Sequence, residues 1–398
     1  MTRKLVTRTI APLTLVAMLG AFGLMAAQPA LALDDAHREK AERAIAKAVK
    51  YLREAQNDDG SWTPKPGPAV TGLVVAGLLR SPEINSEDPQ IAKALGYILK
   101  HQQEDGGIYD KYLKNYNTSI CLMALGQADA TPGIRKAIAN AHDFLRELQW
   151  TEGKTDPAGN KVTENHPYFG GAGYNDSKHG RPDGSNTFMM LTGLYDSGFD
   201  CTDPLYQNAI VYASRLQGAA TNDMFARDIV NDGGFIYATS INRDHIGTPQ
   251  TRTDEQYEKI KAGDKQEYDG PLPTYGSMSY AGYMSFLYAQ LDRKDPRVTA
   301  ARSWISNNFT TKTHPNMGER SYYYYMHFLS RALRANGEEN IATSDGKQHD
   351  WANEVIDALV ERQREDGSWI NPVDRWMEGD PNLVTAYSLI ALQVALGR

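Results

Sequence analysis

Gln363-Arg364-Glu365-Asp366-Gly367-Ser368-Trp369, close to the C-terminus, repeats the pattern of Gln56-Asn57-Asp58-Asp59-Gly60-Ser61-Trp62 near the start of the chain. Both stretches hold a glutamine, an acidic-glycine step and a tryptophan. Glycine after an acidic residue marks a helix stop and a reversal of the chain. A glutamine amide can bond open backbone groups at a helix end, and tryptophan can cover the joint with a large apolar surface. Working outward, an aromatic residue, a short helical stretch and a glutamine recur as Tyr51…Gln56, Tyr97…Gln102, Phe144…Gln149 and Tyr212…Gln217, with a looser copy at Leu359…Gln363. The turn itself returns as Asp105-Gly106-Gly107-Ile108 and Asn231-Asp232-Gly233-Gly234-Phe235, and more weakly at Phe169-Gly170-Gly171. The interval from Gln217 to Gln363 has room for one more unit, and Trp304-Ile305 opens a degenerate copy.

Each turn leads into a second helix-like run: Val70–Leu79, Thr118–Leu125, Thr187–Tyr195, Ser279–Leu291, Tyr322–Leu333 and Leu383–Leu396. These runs are apolar on most faces, which marks helices covered on both sides. The helices before the turns differ: Ala36–Glu54 and Asn353–Arg364 carry one apolar stripe and a charged outer face. No single unit can bury its own apolar face, so the pairs must stack until they close. The expected fold is all-α, an (α/α)6 toroid of six helical hairpins over residues 33–398, with a long loop insertion. The polar segment Ile241–Gly270 reads as an exposed flap over one face.

With 398 residues, 41% apolar and 23% charged, the chain can bury a large core. Its net charge of −7, without basic blocks, argues against nucleic acid as a partner. Residues 1–32 read as a signal peptide: Arg3, Lys4 and Arg8 form a basic start, an apolar run follows, and Ala30-Leu31-Ala32 offers a cleavage site near Ala32. The expected location is therefore secreted or periplasmic, with membrane attachment only through an uncleaved leader. The two cysteines, Cys121 and Cys201, are too few for a disulfide framework.

Gln-x-x-x-Gly-Ser-Trp resembles the glutamine–tryptophan repeat of squalene and oxidosqualene cyclases, which share an (α/α)6 toroid with protein prenyltransferase β subunits. The second half of the chain is similar to secreted prenyltransferase and squalene oxidase repeat proteins, through Tyr275-Gly276-Ser277-Met278-Ser279-Tyr280-Ala281-Gly282, Asn316-Met317-Gly318, Tyr322-Tyr323-Tyr324-Tyr325, His349-Asp350-Trp351 and Arg375-Trp376. The resemblance implies a fold rather than a reaction. The family's Asp-x-Asp-Asp acid is absent, and so is an Asp-Asp-x-x-Asp diphosphate site. The Asp-x-Cys signature of a zinc-held thiolate is missing too, and no metal or cofactor is expected.

What remains is a polar and aromatic set at the starts of the inner helices, where helix dipoles favour anionic groups. Tyr324 and His327 lie three residues apart on one helical face and are the candidate catalytic pair. Asn117, Asn186, Tyr275, Tyr280, Arg320 and Tyr323 are the candidate ligand-binding residues. Packing between helices is the competing role for each. A second constellation, Asn165-His166-Pro167-Tyr168 with Arg181–Asn186, has the residue types of a polysaccharide lyase, and an ordinary polar loop has them as well. The leading expectation is a toroid that holds an isoprenoid or other apolar small molecule. The alternatives are a lyase-like enzyme acting on an anionic polysaccharide and a non-catalytic protein-binding scaffold.

Overall fold

The structure is a computed structural model, described here for residues 33–175, 180–239, 247–263 and 270–398. The leader expected over residues 1–32 lies outside the described residues. Among the described residues, six outer helices alternate with six inner ones. The outer set is α1 (Asp35–Glu54), α3 (Pro89–Lys100), α5 (Pro132–Leu148), α7 (Pro204–Leu216), α10 (Pro296–Asn308) and α12 (Trp351–Glu361). The inner set is α2 (Ala69–Leu78), α4 (Lys114–Gln127), α6 (Gly184–Asp196), α9 (Gly276–Tyr288), α11 (Tyr322–Asn336) and α13 (Pro381–Ala395). Each inner helix packs on the next, and α13 packs back on α2, so the ring closes. This is the (α/α)6 toroid expected from the repeats.

Local chemistry starts the outer helices. Asp88, Thr131, Asp203 and Asp295 each cap a helix whose first residue is proline, Pro89, Pro132, Pro204 and Pro296. The side-chain oxygen takes up an open N–H, and proline supplies a helical φ where no N–H is needed.

The glutamines do more than finish their own helices. Gln56 Nε2 donates to the Gly60 carbonyl in its own turn and to the Gln90 carbonyl on the next outer helix, at 3.0 and 2.9 Å. Gln102, Gln149, Gln217 and Gln363 repeat this, reaching Ala137, Leu205, Arg297 and Ala44, each at 2.9 Å. The turns press close against the same neighbours. Gly60 and Gly367 have φ of +92° and +89°, and a Cβ there would lie 2.7 and 2.4 Å from the carbonyl oxygens of Lys93 and Lys47. Only glycine meets both demands.

The buried tryptophans close the joints, with Trp62 Nε1 on the Leu52 carbonyl and Trp369 Nε1 on that of Leu359, both at 2.7 Å. The sixth joint, between α10 and α12, has no such glutamine. A short antiparallel pair, β1 (Asn340–Ala342) with β2 (Gln348–Asp350), stands there, and Ser306 Oγ donates to the Ala342 carbonyl at 2.7 Å.

The insertion departs from an exposed flap. Within it α8 (Asp254–Lys261) buries Gln256 and Tyr257, because the Tyr257 ring meets Trp376 edge-on at 5.5 Å across the loop before α13. Its stretches 241–246 and 264–269 lie outside the described residues. Cys121 and Cys201 are both free thiols.

Candidate functional site

All six inner helices point their N-termini at one chamber of about 370 Å³. Ala69 and Val70 of α2, Tyr116 and Ile120 of α4, Ser185 of α6 and Met278 of α9 line it from their helices' first two turns. Tyr324 of α11 and Leu383 and Tyr387 of α13 complete that wall. Inter-helix loops supply the rest, notably Tyr174, Tyr237, Arg252, Tyr275, Trp376, Met377 and Glu378. Six tyrosines therefore surround a space walled otherwise mainly by aliphatic and thioether groups, with Trp376, Arg252 and Glu378 coming from the loops. Such a volume, with few polar groups, suits a small ligand.

The tyrosines form a connected belt. The Tyr116 and Tyr324 hydroxyls are 3.1 Å apart, Tyr116 stacks on Tyr174 at 5.8 Å, and the Tyr174 and Tyr237 hydroxyls are 3.5 Å apart. Burial raises the pKa of Tyr116, Tyr237, Tyr275 and Tyr324 well above the usual phenol value, so they stay neutral.

Glu378 is the carboxylate among the lining residues. Its Oε1 accepts the Tyr324 N–H at 2.8 Å and its Oε2 accepts Asn371 Nδ2 at 2.6 Å. The N-cap of α11, Ser321, sits in the left-handed region and makes no side-chain cap, so Glu378 caps this helix from a distant loop. Burial pushes its pKa up to about 7, while the helix N–H groups and Asn371 pull the other way.

The opposite end of the barrel is closed by charge. Arg331 Nη1 and Nη2 grip Asp196 at 2.9 and 2.7 Å, and Arg80 lies 3.9 Å from the same carboxylate. Cations fit this place because the inner helices end there.

Of the residues singled out in sequence, Tyr324 and Tyr275 line the chamber. His327 lies one turn deeper, fully buried against Phe328 and Tyr387 at 5.4 and 5.2 Å, and neither ring nitrogen has a hydrogen-bond partner among the described residues. Asn117 holds backbone, and Asn186 holds a capping carboxylate. Asn117 Oδ1 accepts the Ala69 N–H at 2.8 Å, and Asn186 Nδ2 donates to Asp183, the N-cap of α6, at 2.9 Å. Tyr280 packs outward on Trp304 and Tyr325, and Tyr323 is buried beside Tyr322, without lining the chamber. Arg320 pairs with Asp254 and Glu258 of α8 and so fastens the insertion. In the third-repeat loop, His166 binds Asp156 at 3.0 Å, and Tyr168 joins Trp150, Val162 and Phe169 in a small separate core. The polar residues of that loop support its own structure.

Sequence reasoning passed over Glu378, Arg252, Tyr174 and Tyr237, which lie in loops without periodicity. It also missed a repeated hydroxyl. Thr71, Thr118, Thr187, Ser279 and Thr385 each accept a loop N–H, from Trp62, Ile108, Ala172, Phe235 and Trp369, at 2.9–3.1 Å. Alignment of the repeats on their turns would have exposed it.

No family model matches the chain. Two solved structures superpose with a TM-score of 0.53 and show the same toroid. One is an unsaturated glucuronyl hydrolase specific for heparin, 13% identical, covering 92% of this chain and 98% of its own. The other is a family 76 glycoside hydrolase from a bovine Bacteroides thetaiotaomicron strain, 10% identical, covering 88% of this chain and 77% of its own. A type II terpene cyclase from Scytonema, in complex with its product merosterolic acid A, is similar at 13% identity and a TM-score of 0.49, over 91% of this chain and 99% of its own. At such identities the likeness establishes architecture and leaves chemistry to the site.

Proposed function

We propose that the protein holds one apolar small molecule, of isoprenoid character, in the chamber at the N-terminal ends of the inner helices. The observation that carries this is the lining: six tyrosine rings, a tryptophan and aliphatic side chains, with Arg252 and Glu378 as the charged members. Aromatic faces and thioethers adapt to a flexible hydrocarbon without demanding hydrogen bonds from it. The anionic-polysaccharide alternative is less well served. A lyase needs a Tyr or His base that takes a proton beside the sugar's carboxylate; here His327 does not line the chamber, and burial raises the Tyr324 phenol well above its usual range and keeps it neutral. With a leader over residues 1–32, the mature protein would work outside the cytoplasm; N-terminal sequencing that begins near Leu33 supports export, and an intact Met1 opposes it.

Native mass spectrometry of the purified protein with farnesol tests the proposal, with a heat-denatured sample as control. One-to-one adducts on the native protein alone support it. Equal adducts on both samples, or none, reject it.

A further inference from the structure

Arg252 differs from the other buried and half-buried arginines of this fold. Arg331 has Asp196 at 2.7 Å, Arg215 has Asp223 at 3.4 Å, Arg362 has Glu319 at 2.7 Å and Arg297 has Asp295 at 2.7 Å. Half-buried Arg252 forms no ion pair with any described carboxylate, and its Nε has no hydrogen-bond partner among the described residues. Its guanidinium lies over the Tyr237 ring, 4.3 Å from the centroid, and lines the chamber beside Tyr275. The backbone fixes it there: Gln250 exchanges hydrogen bonds with Ala238 at 2.7 and 3.1 Å, and Thr251 Oγ1 donates to the Pro273 carbonyl at 2.6 Å.

A cation withdrawn from water without a counter-charge is costly. Stacking on an aromatic face and the neighbouring Tyr257 phenol offset part of that cost without supplying a counter-charge, and a planar anion would supply it. Glu378, the carboxylate among the lining residues, does not reach it: its described bonds go to the Tyr324 N–H and Asn371. The field agrees in sign, because six helix N-termini surround the same space.

Resting on the function proposed above, we infer that the ligand is an amphiphile: an apolar chain lies in the tyrosine belt and an anionic oxygen head group, carboxylate or phosphate monoester, pairs with Arg252.

Isothermal titration of the full chain with farnesol, farnesoic acid and farnesyl monophosphate tests this, using wild type, Arg252→Met and Arg252→Lys. The expected result is binding about 10-fold or more tighter for at least one anionic probe than for farnesol in wild type. The preferred anion identifies the head group. In Arg252→Met that ratio falls to about 1, and Arg252→Lys keeps part of it because the charge remains. Equal affinities of all three probes for wild type, or a preference that survives in Arg252→Met, would overturn the inference while leaving the apolar chamber intact. Binding of none of the probes would overturn both. Should Arg252→Met fail to fold, the ratio in Arg252→Lys decides: an undiminished preference, with the fork geometry lost, counts against pairing at this residue.

Discussion

Gln363, just beyond the last outer helix, donates through Nε2 to the carbonyl of Ala44 in the first outer helix at 2.9 Å, so one side chain bonds the end of the chain to its beginning. The same amide holds the Gly367 carbonyl at 3.0 Å. Gln363→Met keeps the length and leaves both carbonyls without this donor. The expected loss is about 1–3 kcal/mol in chemical denaturation. A change below about 0.5 kcal/mol would mean that this bond does not secure the ring closure.

Trp62 and Trp369 are fully buried, and each ties its indole N–H to the outer helix before it. Replacing either by alanine should cost about 3–5 kcal/mol, from lost burial and the cavity left behind. Unfolding curves on the two single variants check this, and near-neutral values would contradict the role of the joint.

The ring was legible because its parts recur. Five of the six joints carry the glutamine, and the acidic-glycine turn with its tryptophan is spelled out in full at Gln56–Trp62 and Gln363–Trp369, so local chemistry alone exposes the period. The mouth of the barrel was legible for the same reason, since inner-helix starts follow the turns. The chamber wall was only half legible. Tyr324 and Tyr275 sit where a repeat places them, but Arg252 and Glu378 reach the site from loops whose course is set by tertiary contacts. Tyr280 and Tyr323 show the second obstacle. A helix apolar on all faces gives no sequence signal for which side meets the cavity and which meets the outer ring.

His327 is fully buried with neither ring nitrogen paired among the described residues, and burial holds its pKa well below the usual imidazole value. An unpaired buried polar group costs about 1–3 kcal/mol. His327→Met should therefore raise the thermal midpoint while preserving the helical circular dichroism. A lower midpoint would show that the imidazole stabilises the fold through a partner, such as an internal water.

Two buried groups give pH dependence of opposite sign. His314 donates from Nδ1 to the Arg320 carbonyl at 2.7 Å and accepts the Ser277 N–H on Nε2 at 2.8 Å, and burial lowers its pKa from 6.5 to about 3. In that window the unfolded chain takes up a proton that the folded one refuses, so stability falls as pH drops. Glu378 rises from 4.5 to about 7, so its folded form keeps a proton that the unfolded chain releases, and stability falls as pH climbs through that window. Glu378→Gln removes the second slope. The stability difference between variant and wild type should move in the variant's favour from pH 4.5 to about 7. A difference that stays flat would show that Glu378 titrates normally.

An apolar ligand enclosed by the tyrosine belt would lose its place once the chamber is filled. Purified mature wild type and Ile120→Trp, which fills the chamber from α4, would be incubated with total host lipid, re-isolated and extracted for mass spectrometry. Enclosure by the belt predicts about one apolar molecule retained per wild-type chain and far less on Ile120→Trp of matched circular dichroism. Equal retention by the two proteins, or none by wild type, would contradict it.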